Sequence, residues 1–133
     1  MDTTPVMLNV GTALAACRGD PALVRALVEQ YRAKLPEERT VLAQAYAARP
    51  PDWETVRQRA HRLQSGSGYL GIERIATAAH QLEAGILARD STDALMAAWE
   101  VLECAFAEFL AVPVEEWERR LRVVNRPAAG AVP

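Results

Sequence analysis

The sequence is poor in cysteine, in aromatic residues and in long apolar runs. Its two cysteines, Cys17 and Cys104, are far apart and lie among Ala and Leu residues, which is typical of two reduced, buried thiols rather than of a disulfide or a metal pair. No stretch reaches the roughly 18 apolar residues of a membrane span, and residues 1–11 lack the basic and apolar regions of a secretory signal. We therefore expect a cytoplasmic protein that does not insert into membranes.

Excess positive charge and the common cofactor motifs are also missing. The formal net charge of −2 argues against nucleic acid as the main partner. The chain has no Gly-rich phosphate-binding loop and no cluster of His, Cys and Asp residues with the spacing of metal ligands. We therefore expect no metal site and no nucleotide site in this chain.

What the chain does contain is helix-forming material. Half of its 133 residues are hydrophobic, and these are mostly Ala, Leu and Val, while 24% are charged. Ala and Leu are the strongest helix formers, and this length and composition suffice for one hydrophobic core. The composition therefore predicts a single all-helical domain.

Capping residues and prolines divide the chain into helices. A short helix is predicted over residues 7–17, and a second begins at Pro21 after the N-cap residue Asp20. The second helix continues to about residue 48 and is kinked at Pro36, with two consecutive helices as the alternative. The later helices are predicted over residues 53–68, 72–88, 93–112 and 114–124.

Apolar residues recur every three or four positions in the long helices, which predicts one buried face in each. In the second helix they are Leu23, Leu27, Tyr31, Leu35, Val41, Leu42, Ala45 and Tyr46. In the two long helices after residue 71 they are Ile72, Ile75, Ala79, Leu82, Ile86, Leu95, Ala98, Leu102, Ala105 and Phe109. Trp53 and Trp99 are expected to anchor the core, and Trp117 to pin the C-terminal segment onto it, with a contact surface as the alternative.

Four long helices with short connections pack most simply as an up-down-up-down antiparallel four-helix bundle, with the short N-terminal helix covering one end. We expect this domain to span residues 1–124 and the small, Pro-containing segment 125–133 to be disordered. The initial Met and the short tail favour a free-standing protein over a domain cut from a larger kinase, and a monomer is expected.

The direction of His61 follows from helical geometry. Each residue turns the helix by about 100°, so the neighbours of any side chain on the helix surface can be calculated. The residues within about 60° of His61 are polar or small: Glu54, Arg57, Gln58, Gln64, Ser65 and Gly68. The opposite side holds Val56, Ala60, Leu63 and Ser67, which must face the core. His61 is therefore expected to point into solvent.

Small residues follow the histidine at once. A glycine inside a helix costs about 1 kcal/mol relative to alanine, so Gly66 and Gly68 need a reason. A fraying helix end is one reason, and it suits Gly71 well. Close approach by the backbone of another protein is the other reason, and it suits Gly66 and Gly68 better.

An exposed imidazole could bind a metal, act as a base or accept a phosphoryl group. A metal would need a second ligand three or four residues away, where the chain has Gln64 and Ser65. General acid–base catalysis would need a pocket, which an exposed helix face does not provide. A phosphoryl carrier needs the least, because its partner brings the remaining groups.

The segment "AHRLQSGSGYLG" resembles the signature of histidine-containing phosphotransfer (Hpt) domains, the four-helix bundles of multistep phosphorelays. That pattern is roughly Ala-His-x-Leu-Lys-Gly-small-small-x-x-Leu-Gly. The chain supplies Ala60, His61, Leu63, small residues at 65–68, Leu70 and Gly71. The usual Leu-Glu pair of the next helix is similar to Leu82-Glu83, and "GDPALVRALVEQYRAKLPE" resembles the second helix of bacterial members, so the resemblance spans roughly residues 8–111.

This resemblance implies that His61 accepts a phosphoryl group from an aspartate of one receiver domain and passes it to an aspartate of another. The implied partners are response-regulator receiver domains, a hybrid sensor histidine kinase, or both, and the Mg²⁺ ion is expected on the receiver. The chain would be a phosphotransfer intermediate rather than an enzyme. Its phosphoryl- or partner-binding residues would be Arg57, Gln58, Gln64, Ser65 and Gly68.

The chain departs from the family pattern at two positions. Gln64 stands where the family usually has a lysine, and Ser65 where it usually has a glycine. Gln64 can donate a hydrogen bond but carries no charge, and Arg57, one turn before His61, is the residue that could replace the cation. Arg62 points about 100° away and would have to bend to reach.

Two other functions remain open at this stage. Because of Gln64, the domain could bind receivers without transferring phosphate; alternatively, it could be a helical bundle whose surface serves homodimerisation. His80, which lies off the apolar stripe and has no neighbouring glycine, is interpreted as an ordinary surface or boundary histidine.

Overall fold

The structure is a computed structural model that describes residues 6–125. Within that range there are six helices and no strand, which confirms the all-helical prediction. The helices are α1 (Val10–Ala16), α2 (Pro21–Ala47), α3 (Trp53–Tyr69), α4 (Glu73–Leu87), α5 (Thr92–Ala111) and α6 (Val114–Asn125). Residues 126–133, which make up all but the first residue of the expected disordered tail, lie outside the described residues.

The helices begin where capping side chains meet free backbone N–H groups. Asp20 accepts from the N–H groups of Ala22 and Leu23, and Asp52 accepts from Thr55 N–H. Both caps were predicted. The prediction that α1 begins near residue 7 is wrong, because the Asn9 side chain accepts from Thr12 N–H and so fixes the helix start at Val10.

Helix α2 continues through Pro36 without interruption, so the alternative of two consecutive helices is wrong. The buried face predicted for its first half is also partly wrong. Val24 and Val28 are buried, whereas Leu23 is 43% exposed. The reason is the position of α6: Val28 borders a small cavity together with Trp117 and Leu121 of that helix, so the core side of α2 is turned toward α6.

Contacts between α2 and its two long neighbours run in opposite chain order. Tyr31, in the first half of α2, forms a hydrogen bond with Ser67 of α3 at 2.5 Å, and its ring packs edge-on against Phe109 of α5. Tyr46, near the end of α2, packs edge-on against Trp53 and stacks on Trp99. Later residues of α2 therefore contact earlier residues of α3 and α5, which is the order expected of antiparallel neighbours.

Aromatic contacts fix α6 against the other helices. Trp117 is buried and stacks on Phe109 of α5 at a centroid distance of 5.6 Å. Arg32 of α2 donates to the backbone carbonyls of Leu110 and Val112, which have no acceptor role inside α5. Trp117 thus holds the C-terminal segment, as predicted from the sequence.

The two cysteines occupy different environments. Cys17 is buried, as predicted, and burial raises the pKa of its thiol. Cys104 is exposed, so the prediction of a second buried thiol is wrong. The core face of α5 is formed by Leu102 and Phe106, which leaves Cys104, midway between them, on the outer side of the helix.

The turn between α3 and α4 is built around Gly71. Its φ of +74° lies in the left-handed region, and its carbonyl accepts the N–H of Asn9 at 2.6 Å. A Cβ atom added to Gly71 would lie 2.5 Å from the Asn9 carbonyl oxygen. Glycine is therefore required at this position both by the backbone conformation and by the approach of the N-terminal segment.

Replacing Gly71 by alanine should lower the free energy of unfolding by about 2 kcal/mol, because the left-handed conformation and the contact with Asn9 both disfavour a side chain. Chemical denaturation followed by circular dichroism measures the change. Gly66→Ala is the matched control, since a Cβ atom there meets nothing within 4 Å. Equal stability of the two variants would contradict this account of the turn.

Candidate functional site

Helix α3 presents His61 to solvent. Val56, Ala60, Leu63 and Ser67 form the buried face of α3, as predicted. The buried Ser67 hydroxyl is satisfied by Tyr31, so this small polar residue fits the core. The His61 side chain, on the other side of the helix, is 63% exposed, which confirms its predicted direction.

The imidazole of His61 contacts a carboxylate from the next helix. His61 Nδ1 lies 2.9 Å from Oε2 and 3.2 Å from Oε1 of Glu83, which belongs to α4. An ionised carboxylate only accepts hydrogen bonds, so this contact places the hydrogen of a neutral imidazole on Nδ1. Nε2 then carries the free lone pair on an exposed side chain.

Glu83 is largely buried, with 11% of its side chain exposed. A buried carboxylate needs a partner, because transfer of an unpaired charge out of water is costly. Glu83 has two: His61, and the guanidinium of Arg57, whose Nη1 lies 3.8 Å from Oε2. The His61–Glu83 contact therefore holds the imidazole in one orientation and also gives the buried carboxylate a hydrogen-bond partner.

Sequence reasoning did not name Glu83 as a site residue. It entered only through the Leu82-Glu83 resemblance, and the contact with His61 depends on how α3 and α4 pack. One signal was present: Glu83 follows Leu82 at the edge of a stripe that includes Ile75 and Ala79, and an acid that is buried in such a position needs a partner.

Arg57, predicted as a replacement cation, is already engaged. Its Nε and Nη2 donate to Oε2 and Oε1 of Glu54 at 3.1 and 2.6 Å. The hydrogen bond from Arg57 lowers the pKa of Glu54, and the same bond raises the pKa of Arg57. The guanidinium thus lies between two carboxylates, Glu54 on its own helix and Glu83 on α4.

The other predicted site residues make no hydrogen bond to the imidazole of His61. Gln58 donates to Glu54 Oε1 at 3.2 Å, and the Ser65 hydroxyl donates to the His61 carbonyl at 3.3 Å. Gln64 is partly exposed and has no hydrogen bond within residues 6–125. The structure therefore joins Gln58 to Arg57 through Glu54 and leaves Gln64 available to another molecule.

The helical glycines beside His61 are not required by the packing of this chain. A Cβ atom added to Gly66 or to Gly68 would meet nothing within 4 Å. Both residues are exposed, but only Gly68, two turns beyond His61, lies on the same face as the histidine, whereas Gly66 lies about 140° round the helix. The bare surface at Gly68 is therefore consistent with close approach by a partner that docks at His61.

The remaining basic residues of the segment lie away from the imidazole. Arg59 pairs with Glu38 of α2 at 3.4 Å. Arg62 borders a cavity of about 200 Å³ between α2 and α3, together with Lys34 and Gly66. His80 is exposed on α4, which agrees with its interpretation as a surface histidine.

The described part of the chain shows neither a metal-binding cluster nor a membrane-spanning helix. Residues 6–125 contain no group of three or more His, Cys, Asp or Glu side chains arranged to hold a metal ion. None of the helices described has both the length and the apolarity to cross a membrane.

Comparison with known families agrees with this arrangement. The family model described as Hpt domain matches residues 26–122, which include His61, Glu83 and all of α2–α5 except the first residues of α2. The chain belongs to the Hpt family. Hpt domains carry out histidine phosphotransfer in phosphorelays and work with receiver domains and kinases, as phosphocarriers rather than as kinases. No curated protein and no solved structure matches the chain with significant similarity.

The His61–Glu83 contact predicts a defined imidazole tautomer. Nitrogen-15 NMR of the neutral ring should show the hydrogen of His61 on Nδ1, and Glu83→Ala should remove this preference because the acceptor is lost. His80, exposed in the same molecule, serves as an internal control that the variant leaves unchanged. A His61 ring protonated on Nε2 in the wild type would contradict the assignment.

Proposed function

We propose that His61 is the phosphoacceptor of this Hpt domain, taking a phosphoryl group from a receiver-domain aspartate and passing it to the aspartate of another receiver domain in two-component signalling. The observation that carries the proposal is the orientation of the imidazole. Glu83 engages Nδ1 at 2.9 Å, and the side chain is 63% exposed, so Nε2 is the nitrogen available to a partner.

The chemistry needs little from the carrier. The lone pair of Nε2 attacks phosphorus, the N–P bond forms as the P–O bond to the aspartate breaks, and the aspartate leaves as a carboxylate. The ring becomes cationic while its Nδ1 hydrogen remains directed at Glu83, which stabilises that positive charge. Transfer to the second receiver reverses these bond changes, so the step depends on positioning and charge.

The residues around His61 have proposed roles in binding. Gln64 offers an amide N–H to a phosphoryl oxygen in place of the lysine usual in the family. Arg57 supplies the nearby positive charge, and Gln58, which donates to the same Glu54 oxygen as Arg57, adds an amide to this polar surface. Ser65 and Gly68 form the small, exposed surface on which a receiver rests.

We also propose that the Mg²⁺ ion of the reaction belongs to the receiver and that this chain needs no cofactor of its own. Both carboxylates near His61 support this division: Glu83 is engaged by the imidazole and Glu54 by the Arg57 fork. A metal ion bound here would have to displace one of these partners. The carrier therefore provides the nucleophile, and the receiver provides the metal and its acidic pocket.

The remaining proposals concern the state of the protein. We propose that α2–α5 form the up-and-down antiparallel bundle, with α1 at one end; the opposed order of the Tyr31 and Tyr46 contacts supports this. We further propose that the chain acts as a cytoplasmic monomer, as a phosphotransfer intermediate between a hybrid sensor kinase and response regulators.

A second candidate function is favoured by one residue. Gln64 lacks the charge that a lysine would bring to the phosphoryl group, so a domain that binds receivers without accepting phosphate is the alternative. Arg57 weighs against it, because a guanidinium lies within 4 Å of the same Glu83 oxygen that holds His61.

The function is tested by incubating the protein with a panel of phosphorylated receiver domains. We expect an acid-labile phosphoryl group on the wild type and on His80→Gln, and none on His61→Gln, because only His61 combines exposure with a buried carboxylate partner. Receiver binding without any label on the wild type would instead support the alternative. Equal labelling of the wild type and His61→Gln would exclude His61 as the acceptor.

A further inference from the structure

The cation nearest to the His61–Glu83 pair comes from the turn before His61. Arg57 Nη1 lies 3.8 Å from Glu83 Oε2, the same oxygen that His61 Nδ1 contacts at 2.9 Å. Within residues 6–125 it is the one Arg or Lys side chain within 4 Å of Glu83. Since Gln64 carries no charge, Arg57, one turn before His61 on the same face of α3, is the basic residue whose long side chain can extend toward a phosphoryl group there.

Glu54 already occupies the fork of this guanidinium. Its two oxygens accept from Arg57 Nε and Nη2 at 3.1 and 2.6 Å. The same edge of an arginine binds two oxygens of a phosphoryl group when it pairs with phosphate. A phosphoryl group on His61 therefore competes with Glu54 for Arg57.

The charge of Glu54 favours release of the phosphoryl group. Glu83 faces the ring that becomes cationic in phosphohistidine, whereas Glu54 pairs with the guanidinium of Arg57. Arrival of the phosphoryl group adds further negative charge and three strong acceptor oxygens. The Arg57 guanidinium, which could stabilise the phosphorylated state, is therefore already neutralised by Glu54.

We propose that Glu54 is a positioning residue that keeps Arg57 from binding phosphohistidine fully and so shifts the phosphotransfer equilibrium from His61 toward the receiver aspartate. The proposal rests on the proposed function of His61. The N–P bond of phosphohistidine breaks as the P–O bond to the aspartate forms, and no further reactant is needed. Glu54 alters only the relative free energy of the two phosphorylated proteins, through Arg57.

The test is the ratio of phosphohistidine to phosphoaspartate at equilibrium with one receiver domain. Glu54→Gln keeps the shape of the side chain but removes its charge, so Arg57 is freer to bind the phosphoryl group. Because exposed ion pairs of this kind have modest strength, we expect the ratio to rise by about threefold. The lifetime of phosphohistidine in the absence of a receiver should lengthen in the same direction.

Helix α6 offers a matched control. Glu116 accepts from Arg119 Nε and Nη2 at 3.1 and 2.6 Å, in the same i,i+3 fork that joins Glu54 and Arg57. Glu116→Gln removes an equivalent charge from a helix that does not carry the histidine. We expect this variant to leave the ratio unchanged, and circular dichroism should show both variants folded.

Introducing Glu54→Gln into the Arg57→Gln variant shows whether Glu54 acts through Arg57. In Arg57→Gln, the effect of Glu54→Gln should shrink to less than about half, because the direct field of an exposed carboxylate is screened by salt. An undiminished effect in this background, or an unchanged or lower ratio in Glu54→Gln alone, overturns the proposal. Absence of any phosphoryl group on wild-type His61 would instead overturn the proposed function and this proposal together.

Discussion

A buried carboxylate beside an exposed histidine is the interaction on which the site depends. Glu83 loses most of its contact with solvent on folding, and His61 Nδ1, at 2.9 Å, supplies a hydrogen bond that replaces water. The same contact decides which imidazole nitrogen keeps its lone pair. The need of the buried Glu83 carboxylate for a hydrogen-bond partner therefore determines that Nε2 of His61 keeps its lone pair.

This contact requires an accurate register between α3 and α4. The two helices are joined by a short turn in which Gly71 has a left-handed conformation, and the N–H of Ile72 bonds back to Ser67 at 2.8 Å. The N-terminal segment closes over the turn, with the Asn9 side chain donating to Glu73 and its backbone donating to Gly71. Segments distant in sequence thus fix where Glu83 meets His61, while the core face of α3 keeps the imidazole outward.

The features that could be predicted from the sequence are those set within a single helix. The N-caps Asp20 and Asp52 depend on backbone groups two or three residues away, and the direction of His61 depends only on helical period. The family followed from the motif around His61, which is continuous in the sequence.

The features that could not be predicted depend on neighbouring helices. Val28 is buried beside Trp117 and Leu121 of α6, and Cys104 is exposed because Leu102 and Phe106 face the core. The partners of Arg57 and His61 on α4 follow from helix packing, which no local pattern encodes.

The most direct test of the account is the position of the phosphoryl group on the ring. Phosphorylated protein labelled with nitrogen-15 can be examined by NMR for coupling between phosphorus and each nitrogen of His61. The contact of Nδ1 with Glu83 predicts phosphorus on Nε2. Phosphorus on Nδ1, or on His80, would contradict the central claim that Glu83 selects the nitrogen that carries the phosphoryl group.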